Sequence, residues 1–535
     1  MPTECIPYNE TGYFSSMICD YVAEKENITP FYHRFPKIEN FKAQIEEKQT
    51  SQLTQVSQRK ILSKALRNQY QTIKASDETL ENIHKLSSTN TFTVTTGHQL
   101  NLFTGPLYFL YKIISAINLT KQLKEKYPSY DFVPIYWMAS EDHDFEEISF
   151  FNFKGKKIRW NREASGVVGE LSTEGLNEIL QEFSKELGSG DNAKYLQSLF
   201  EDGYIKHANL AEATRYIANE LFKKYGLVIV DGNDIELKRL FIPYIENELF
   251  QKTAYRNVAE TAEKLTSVDE SYKVQVNPRE INLFYIQQGI RERIVEKNDR
   301  YSVLNTSVKW NREELKEEIH KHPERFSPNA LLRPLYQEVI LPNLCYIGGG
   351  GELAYWFELK KYFEAVEVTF PMLLLRNSVV LKTKKQSEKM EKLQVSNRDL
   401  FLSKDDFVAK KVKELSEINI DFTSQKKHLQ AQFKELYELA EQTDKSFLGA
   451  VAAQEKKQIK GLMHLEKRLL RAQKRVLKDK TDRSREIQEE LFPNGTLQER
   501  RLNFSEFYEV YGENLIPTLV EHLHPLQSEF LVLEL

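Results

Sequence analysis

The sequence predicts an α/β protein: an open, largely parallel sheet followed by a long helical appendage. Three observations predict it. Short apolar or β-branched runs recur at TFTVTT (91–96), FVPIYWMA (132–139) and GLVIVDGND (226–234), as in strands covered on both faces. Each run ends in Gly, His, Ser, Asp or Asn, the residues that line a crevice at the carboxyl edge of such a sheet. From about residue 380 glycine nearly vanishes, and Lys, Glu, Gln and Leu rise in its place.

Residues 1–90 are polar and helix-forming, with Leu53, Val56, Ile61, Leu62 and Leu66 at helical spacing. Thr91–Thr96 then reads as a strand that Gly97 breaks. Gly105 and Pro106 open the next helix, with Pro106 in its first turn. Gly97, His98, Gln99 and Asn101 are therefore expected in a loop between strand and helix. FVPIYWMA runs into Ser140 and the acidic EDHDFEE of 141–147. The helix LAEATRYIANELFKKY leads into the third strand. CYIGGGGELAYWFELKKYF places glycines between a short strand and a helix, and VEVTFPMLLL (366–375) reads as the last core strand. FNFKGKKIRWNREASGVVGEL and YKVQVNPREINLFYIQQGIRERIVEK alternate like short antiparallel strands and interrupt this pattern.

In the appendage Leu429, Phe433, Leu436, Ala440, Phe447 and Val451, then Ile459, Leu462, Leu469, Ala472 and Val476, form a narrow apolar seam. That spacing predicts a helical hairpin or coiled coil. The basic stretch 456–479 reads as its solvated face. The divisions expected are N-terminal helices with the first part of the core at 1–150 and a first inserted element at 151–200. Core follows at 201–264, a second inserted element at 265–330, the end of the core at 331–380, the coiled coil at 381–491 and a C-terminal segment at 492–535.

A chain of 535 residues is long enough for two to four domains, and 41% hydrophobic residues supply real cores. With 74 basic against 78 acidic residues, the net charge of −4 argues against a nucleic-acid binder. Three widely spaced cysteines, Cys5, Cys19 and Cys345, make no disulfide framework and fit a reducing cytoplasm. MPTECIPYNETGYF lacks the pattern of a signal peptide, and no run approaches the roughly 20 apolar residues of a membrane span. The expectation is a soluble cytoplasmic protein.

Four stretches carry chemistry. His98, at a strand's carboxyl end just before a helix, is placed to donate to a phosphate oxygen, although a turn histidine needs no such role. Glu141, Asp142, His143 and Asp144 follow an apolar strand. Acids there suit a helix N-terminus, an amine ligand, or a metal ion. Gly348–Gly351 with Glu352 expose backbone N–H groups to a ligand. Arg500, Arg501, Asn503, Tyr508 and Tyr511 suit a phosphate and a stacked base, or plain docking of the C-terminal segment. Trp356 and Cys345 read as core. The competing functions are a metal-dependent hydrolase built on His98, Asp142, His143 and Asp144, and a non-catalytic coiled-coil scaffold.

TTGHQ…TGP, WMASEDHDFEEI, LRPLYQE and YIGGGGELAYW, in this order, resemble the cysteine-adding ligase family of bacillithiol biosynthesis. The resemblance covers essentially the whole chain, including the closing PNGTLQERRLNF. It implies a Rossmann-type core related to class I aminoacyl-tRNA synthetases, two inserted connecting-peptide elements, an α-helical coiled-coil domain and a homodimer. It also implies that the carboxyl group of L-cysteine is joined to the amine of glucosaminyl-malate. Thr95-Thr96-Gly97-His98 matches the Gly-His half of the synthetases' H-x-G-H, with Thr95 in place of the first histidine. K-M-S-K-S is absent; Lys382-Thr383-Lys384-Lys385-Gln386 keeps lysines at its first and fourth places.

The expected roles follow. ATP activates the carboxylate, with ATP/ADP the expected nucleotide and no metal expected. His98, Glu141, Asp142 and Asp144 are catalytic. Gly97, Gln99, Asn101, His143, Gly349, Glu352 and Arg376 bind substrate, Arg376 meeting the malate carboxylates. Arg500, Arg501, Asn503, Tyr508 and Tyr511 bind nucleotide.

Overall fold

The computed structural model describes residues 3–51, 56–443 and 445–535, so Leu53 of the first helical pattern lies outside the described residues. The chain forms two compact units. One comprises residues 7–379 with 499–531; the other comprises 1–6, 380–498 and 532–535.

The larger unit is built on a five-stranded parallel sheet. Its strands are β1 (Thr91–His98), β2 (Asp131–Met138), β3 (Val228–Asp231), β4 (Asn343–Gly348) and β5 (Met372–Leu375). They lie in the spatial order β5-β4-β1-β2-β3. The chain steps outward from β1 to β3, then returns to place β4 on the other side of β1. The crevice between β1 and β4 is thus a topological switch point, where ligands bind in such sheets.

All eight residues of β1 are buried. Four are threonines, and three of their hydroxyls bond sideways to β4. Thr93 and Thr95 donate to Asn343 Oδ1, and Thr96 to the Ile347 carbonyl, which satisfies polar groups that burial would otherwise penalise. Helix α1 (Tyr108–Lys126) covers one face, and its Ala116, Leu119 and Leu123 join Phe92, Val94, Leu344, Ile347 and Leu374 in one core. Cys345 lies in that core as a free thiol, pushed well up by burial, and Trp356 is likewise buried.

Several sequence expectations need correction. Gly97 does not break the strand: β1 continues through His98, paired opposite Trp137 and Met138. A tight turn follows, with positive φ at Phe103, Thr104 and Gly105, and α1 starts at Tyr108 rather than at Pro106. A side chain at Gly105 would stand 2.6 Å from Asn101 Cβ, so the turn requires glycine. The last core strand begins only at Met372, because Pro371 has no N–H for the ladder. The alternating pattern at 150–171 yields just the Phe150–Phe153 and Lys156–Arg159 hairpin. The pattern at 272–297 becomes strand only from Leu283, after Pro278. Leu283–Gln287 and Ile290–Lys297 belong to a five-stranded antiparallel sheet completed by Arg300–Val303, Lys309–Trp310 and Phe326–Pro328.

In the smaller unit, Thr423–Ala440 and Lys445–Val476 pack antiparallel, since Tyr437 bonds Glu455 and Lys426 pairs with Glu466. Phe433, Ala440 and Val451 are buried between them, with Leu429 and Tyr437. Leu436, Phe447 and Val476, expected in the seam, are 41%, 43% and 75% exposed. Tyr437 takes the position of Leu436 because its ring packs while its hydroxyl finds a carboxylate. Among the described residues, no helix is long and apolar enough to cross a membrane.

The irregular segment Tyr272–Asn282 is held by two fully buried carboxylates. Glu358 accepts from Gln275 N at 2.8 Å, and Glu248 accepts from Asn282 N and Nδ2 at 2.8 Å each. The second oxygen of each has no partner, and burial pushes each carboxyl from 4.5 up to about 7. Between those values the folded state holds protons that the unfolded chain has released. Stability is therefore expected to fall as pH rises from about 5 through 7 and to level off above, by on the order of 3 kcal/mol per group. Denaturation midpoints at pH 5.5 and 8 test this; the Glu248→Gln, Glu358→Gln double variant should lose most of the slope, and an unchanged slope would refute it.

Candidate active-site cleft

An open cleft of about 1040 Å³ lies within the larger unit at the carboxyl edge of β1, β2 and β4. Gly97, His98 and Gln99 form one lip, Gly349–Glu352 face them across the switch point, and the Tyr272–Asn282 segment and antiparallel sheet supply the far wall.

Lys112 of α1 holds its floor. The side chain is only 4% exposed, yet its Nζ donates to the Gly97 carbonyl at 2.7 Å and pairs with Glu352 Oε2 at 2.5 Å. Glu352 sits on α2 (Gly350–Phe357), just beyond β4, and also accepts from Gly349 N at 2.8 Å and Tyr346 Oη at 2.7 Å. Burial opposes its charge, but Lys112 and these donors outweigh it and lower its pKa. Lys112, lowered chiefly by burial, is kept in place by the same pair.

His98 is buried between Tyr108 and Phe109, its Nε2 3.3 Å from the Thr104 carbonyl. Nε2 therefore carries the proton and Nδ1 is bare. Burial first, then the Lys112 charge, pulls the pKa down to about 3. His98 lines the cleft as a neutral imidazole with its proton committed to the backbone, so donation to a phosphate is not its role in this arrangement. Gln99 lines the cleft, while Asn101 bonds the Glu147 carbonyl and packs beneath the Gly105 turn, away from it.

The acidic run divides. Glu141 pairs with buried Lys238, which also donates to the Phe326 carbonyl. Asp142 accepts from Gln99 Nε2 and from His143 N; burial raises its pKa, but His143, Gln99 and Arg291 prevail and hold it below the ordinary carboxylate range. His143 Nδ1 lies 2.9 Å from Arg291 Nη1 and 3.3 Å from Asp142. While neutral, that nitrogen serves one of the two and not both. Asp144 caps the short helix Phe145–Ile148 through Glu147 N and does not line the cleft. Glu147, one turn on, does, and burial followed by the Asp142 and Asp144 charges raises its pKa. Asp144 thus stands at the helix N-terminus that the macrodipole favours, outside the cleft lining. His98, Asp142, His143 and Asp144 do not converge: among the described residues no group of three or more His, Cys, Asp and Glu side chains is placed to hold a metal ion.

Six arginines line the cleft: Arg279, Arg291, Arg293, Arg333, Arg376 and Arg500. Arg376 pairs with buried Glu499 at 2.7 Å, stands 5.0 Å over the Tyr108 ring, and leaves Nε without a partner. Of the C-terminal cluster only Arg500 lines the cleft. Asn503 is buried, donating to the Phe103 and Gly105 carbonyls, and Tyr508 is stacked on Tyr195. Arg501 and Tyr511 lie outside the lining, and no lysine of 382–386 is in it. Lys112, Glu147, Lys238, Arg279, Arg291, Arg293 and Arg333 were not singled out by the sequence. Lys112, a lone cation in the apolar helix YFLYKIISAI, carried a readable signal.

Two family descriptions match. The Bacillithiol biosynthesis BshC N-terminal Rossmann-like domain covers residues 1–377, and the BshC C-terminal coiled-coil domain covers 379–535. Relatives named "Putative cysteine ligase BshC" include one from Christiangramia forsetii, 59% identical across 100% of this chain and 99% of its own length. Others come from Flavobacterium johnsoniae (58%; 99% and 99%) and Cytophaga hutchinsonii (37%; 98% and 97%). A solved Campylobacter jejuni chain assigned as an arginyl-tRNA synthetase aligns over 87% of this chain and 98% of its own, at 12% identity; with a TM-score of 0.21 it carries no argument. The chain belongs to the BshC family, with its Rossmann-like and coiled-coil domains.

The His98 environment gives a direct expectation. Its imidazole signals in a ¹⁵N-resolved NMR titration should stay those of the neutral Nε2–H tautomer from pH 5 to 8. A midpoint within that window would contradict the placement described.

Proposed function

We propose that this cleft joins the carboxyl group of L-cysteine to the amine of glucosaminyl-malate, making the chain a carbon–nitrogen ligase that forms bacillithiol. The observation that carries this reading is the pairing, in one cleft, of six arginines with two differently tuned carboxylates, Asp142 and Glu147. The arginines suit a substrate with carboxylates and a nucleotide with phosphates. The carboxylates suit an amine.

Amide formation from a free carboxylate needs activation, which ATP supplies when bound; the unpartnered Nε of Arg376 and the surrounding guanidinium groups fit its phosphates. Arg376, already neutralised by Glu499, presents its remaining donor to an anion, either the malate end of the acceptor or a phosphate. Asp142 stays ionised and holds the ammonium form of the amine. Glu147, the more basic of the two, accepts the proton that the amine must lose before it attacks. Glu141 and Asp144, tied to Lys238 and to the helix end, have supporting roles. Gly349 lets backbone approach the developing charge on the carbonyl oxygen.

Purified protein with ATP, L-cysteine and synthetic glucosaminyl-malate is expected to yield bacillithiol by mass spectrometry. AMP as co-product would mark an adenylate route and ADP an acyl phosphate. Glu147→Gln should lower kcat by about 10²–10⁴, the range for loss of a positioned base. Folded protein that gives no product, together with unchanged bacillithiol in a deletion strain, would sink the assignment.

The same reading includes a homodimer through the helical hairpin, supported by exposed Leu439 (52%), Phe447 (43%) and Leu465 (53%). Light scattering after chromatography should give twice the chain mass, and Leu439→Glu with Leu465→Glu should give the monomer. A wild-type monomer would dismiss it.

A further inference from the structure

The LRPLYQE stretch, residues 332–338, has so far no function. It forms the first turns of a helix, Leu332–Ile340, and sends Arg333 into the cleft. Three cations lie against the sheet at the cleft floor: Lys112, Arg376 and Arg333. Glu352 neutralises the first and Glu499 the second. No described carboxylate forms an ion pair with Arg333. The guanidinium lies 6.0 Å from the Trp137 ring and 5.6 Å from the Tyr346 ring, with Tyr355 beside it, and the charge that acts on it through space is Glu352, already paired with Lys112. Nη1 donates to Gln337 Oε1 at 3.1 Å, whereas Nη2 is buried without a hydrogen-bond partner.

Gln337 is itself fixed. Its Nε2 donates to Glu338 Oε1 at 2.9 Å, and the same oxygen accepts from Asn343 Nδ2 at 2.7 Å. Glu338 Oε2 meets buried Lys48 at 3.2 Å, and Asn343 accepts from Thr93 and Thr95 of β1. Glu338 thus spends its charge on Lys48, and only a neutral amide reaches Arg333. A half-buried cation whose acting carboxylate is already paired with Lys112 keeps its buried, unpartnered Nη2 for a further anion. Gly97 keeps the approach open: a Cβ there would stand 3.2 Å from Tyr346 Oη and 3.9 Å from Arg333 Nη1.

We propose that Arg333 is the anion receptor of the cleft, taking a carboxylate or phosphate oxygen on its Nη2, with Gln337 as the positioning residue that aims it. The proposal rests on the ligase reading only for the source of that anion, which is either the nucleotide's phosphates or the acceptor's malate group.

Full-length protein is titrated calorimetrically with sodium pyrophosphate and, separately, with L-malate. Wild type is expected to bind at least one saturably, and Arg333→Gln to weaken that one by tenfold or more; the arm affected identifies the source. Gln337→Glu places a carboxylate on Nη1 and is expected to raise the melting temperature while abolishing the same binding. A purely structural Arg333 would give the rise in stability with binding unchanged. Arg333→Lys, which keeps the charge and loses the fork, should fall between and guards against misfolding of the Gln variant. The proposal is overturned if wild type binds neither anion, or if folded Arg333→Gln or Arg333→Lys binds both as wild type does. Arg333-dependent binding in a folded protein that gives no product, together with unchanged bacillithiol in the deletion strain, would fell the ligase reading and leave this one standing.

Discussion

The cleft depends on one buried cation. Lys112 enters from a helix that otherwise packs the sheet and joins the last residues of β1 to the first helical turn after β4. Those two strands flank the point where the chain reverses direction across the sheet, so nothing covalent and local holds them in register at their ends. The ion pair does. An ammonium buried this deeply is tolerable only because a carboxylate, a carbonyl and a tyrosine-tethered oxygen network surround it. Removing either charge would leave the other unpaired in the same place, which couples the two lips of the cleft.

Around that clasp the cleft sorts its charges by what each already touches. Lys112 with Glu352, Arg376 with Glu499 and Lys238 with Glu141 are internally balanced. They set geometry and contribute little net charge to a ligand. Among the described residues, the arginines of the far wall and Arg333 form no such ion pair. The acids divide in the same manner: Glu141 is consumed by a lysine, Asp144 by a helix end, and Asp142 is held ionised. Glu147 is left as the carboxylate whose proton affinity burial and the neighbouring Asp142 and Asp144 charges raise.

The frame of the sheet was legible because it depends on short-range patterns. Apolar runs of strand length, ended by glycine or polar residues, identified β1 to β4 and the edge where the site lies. β5 was read too long because the pattern took no account of Pro371. The strand's extension through His98 was missed because glycine was taken as a breaker, whereas parallel pairing with β2 carries it on. Much of the site was not legible, because its residues meet through topology. Lys238, Arg291 and Arg333 stand on elements far apart in the chain, and nothing local says that each points inward. Asp144 and Glu147 have the same chemistry three residues apart; only the start of the helix decides which one faces the cleft.

The antiparallel sheet explains why a parallel core of this kind needs so large an addition. The carboxyl edge of the core offers backbone groups, a neutral histidine and cations mostly paired with their own acids. By itself that edge would position a ligand without attracting it. Arg291 and Arg293, two apart on one strand, project from the same side of the Ile290–Lys297 strand into the cleft, and Arg279 precedes the sheet on the segment held by Glu248 and Glu358. Arg291 also reaches the Ser327 hydroxyl and His143, so this strand is tied directly to the acidic run that follows β2. Core and addition therefore divide the work. The core contributes internally paired charges, the addition contributes arginines without such pairs among the described residues, and the contact through His143 ties those arginines to the acidic run that follows β2.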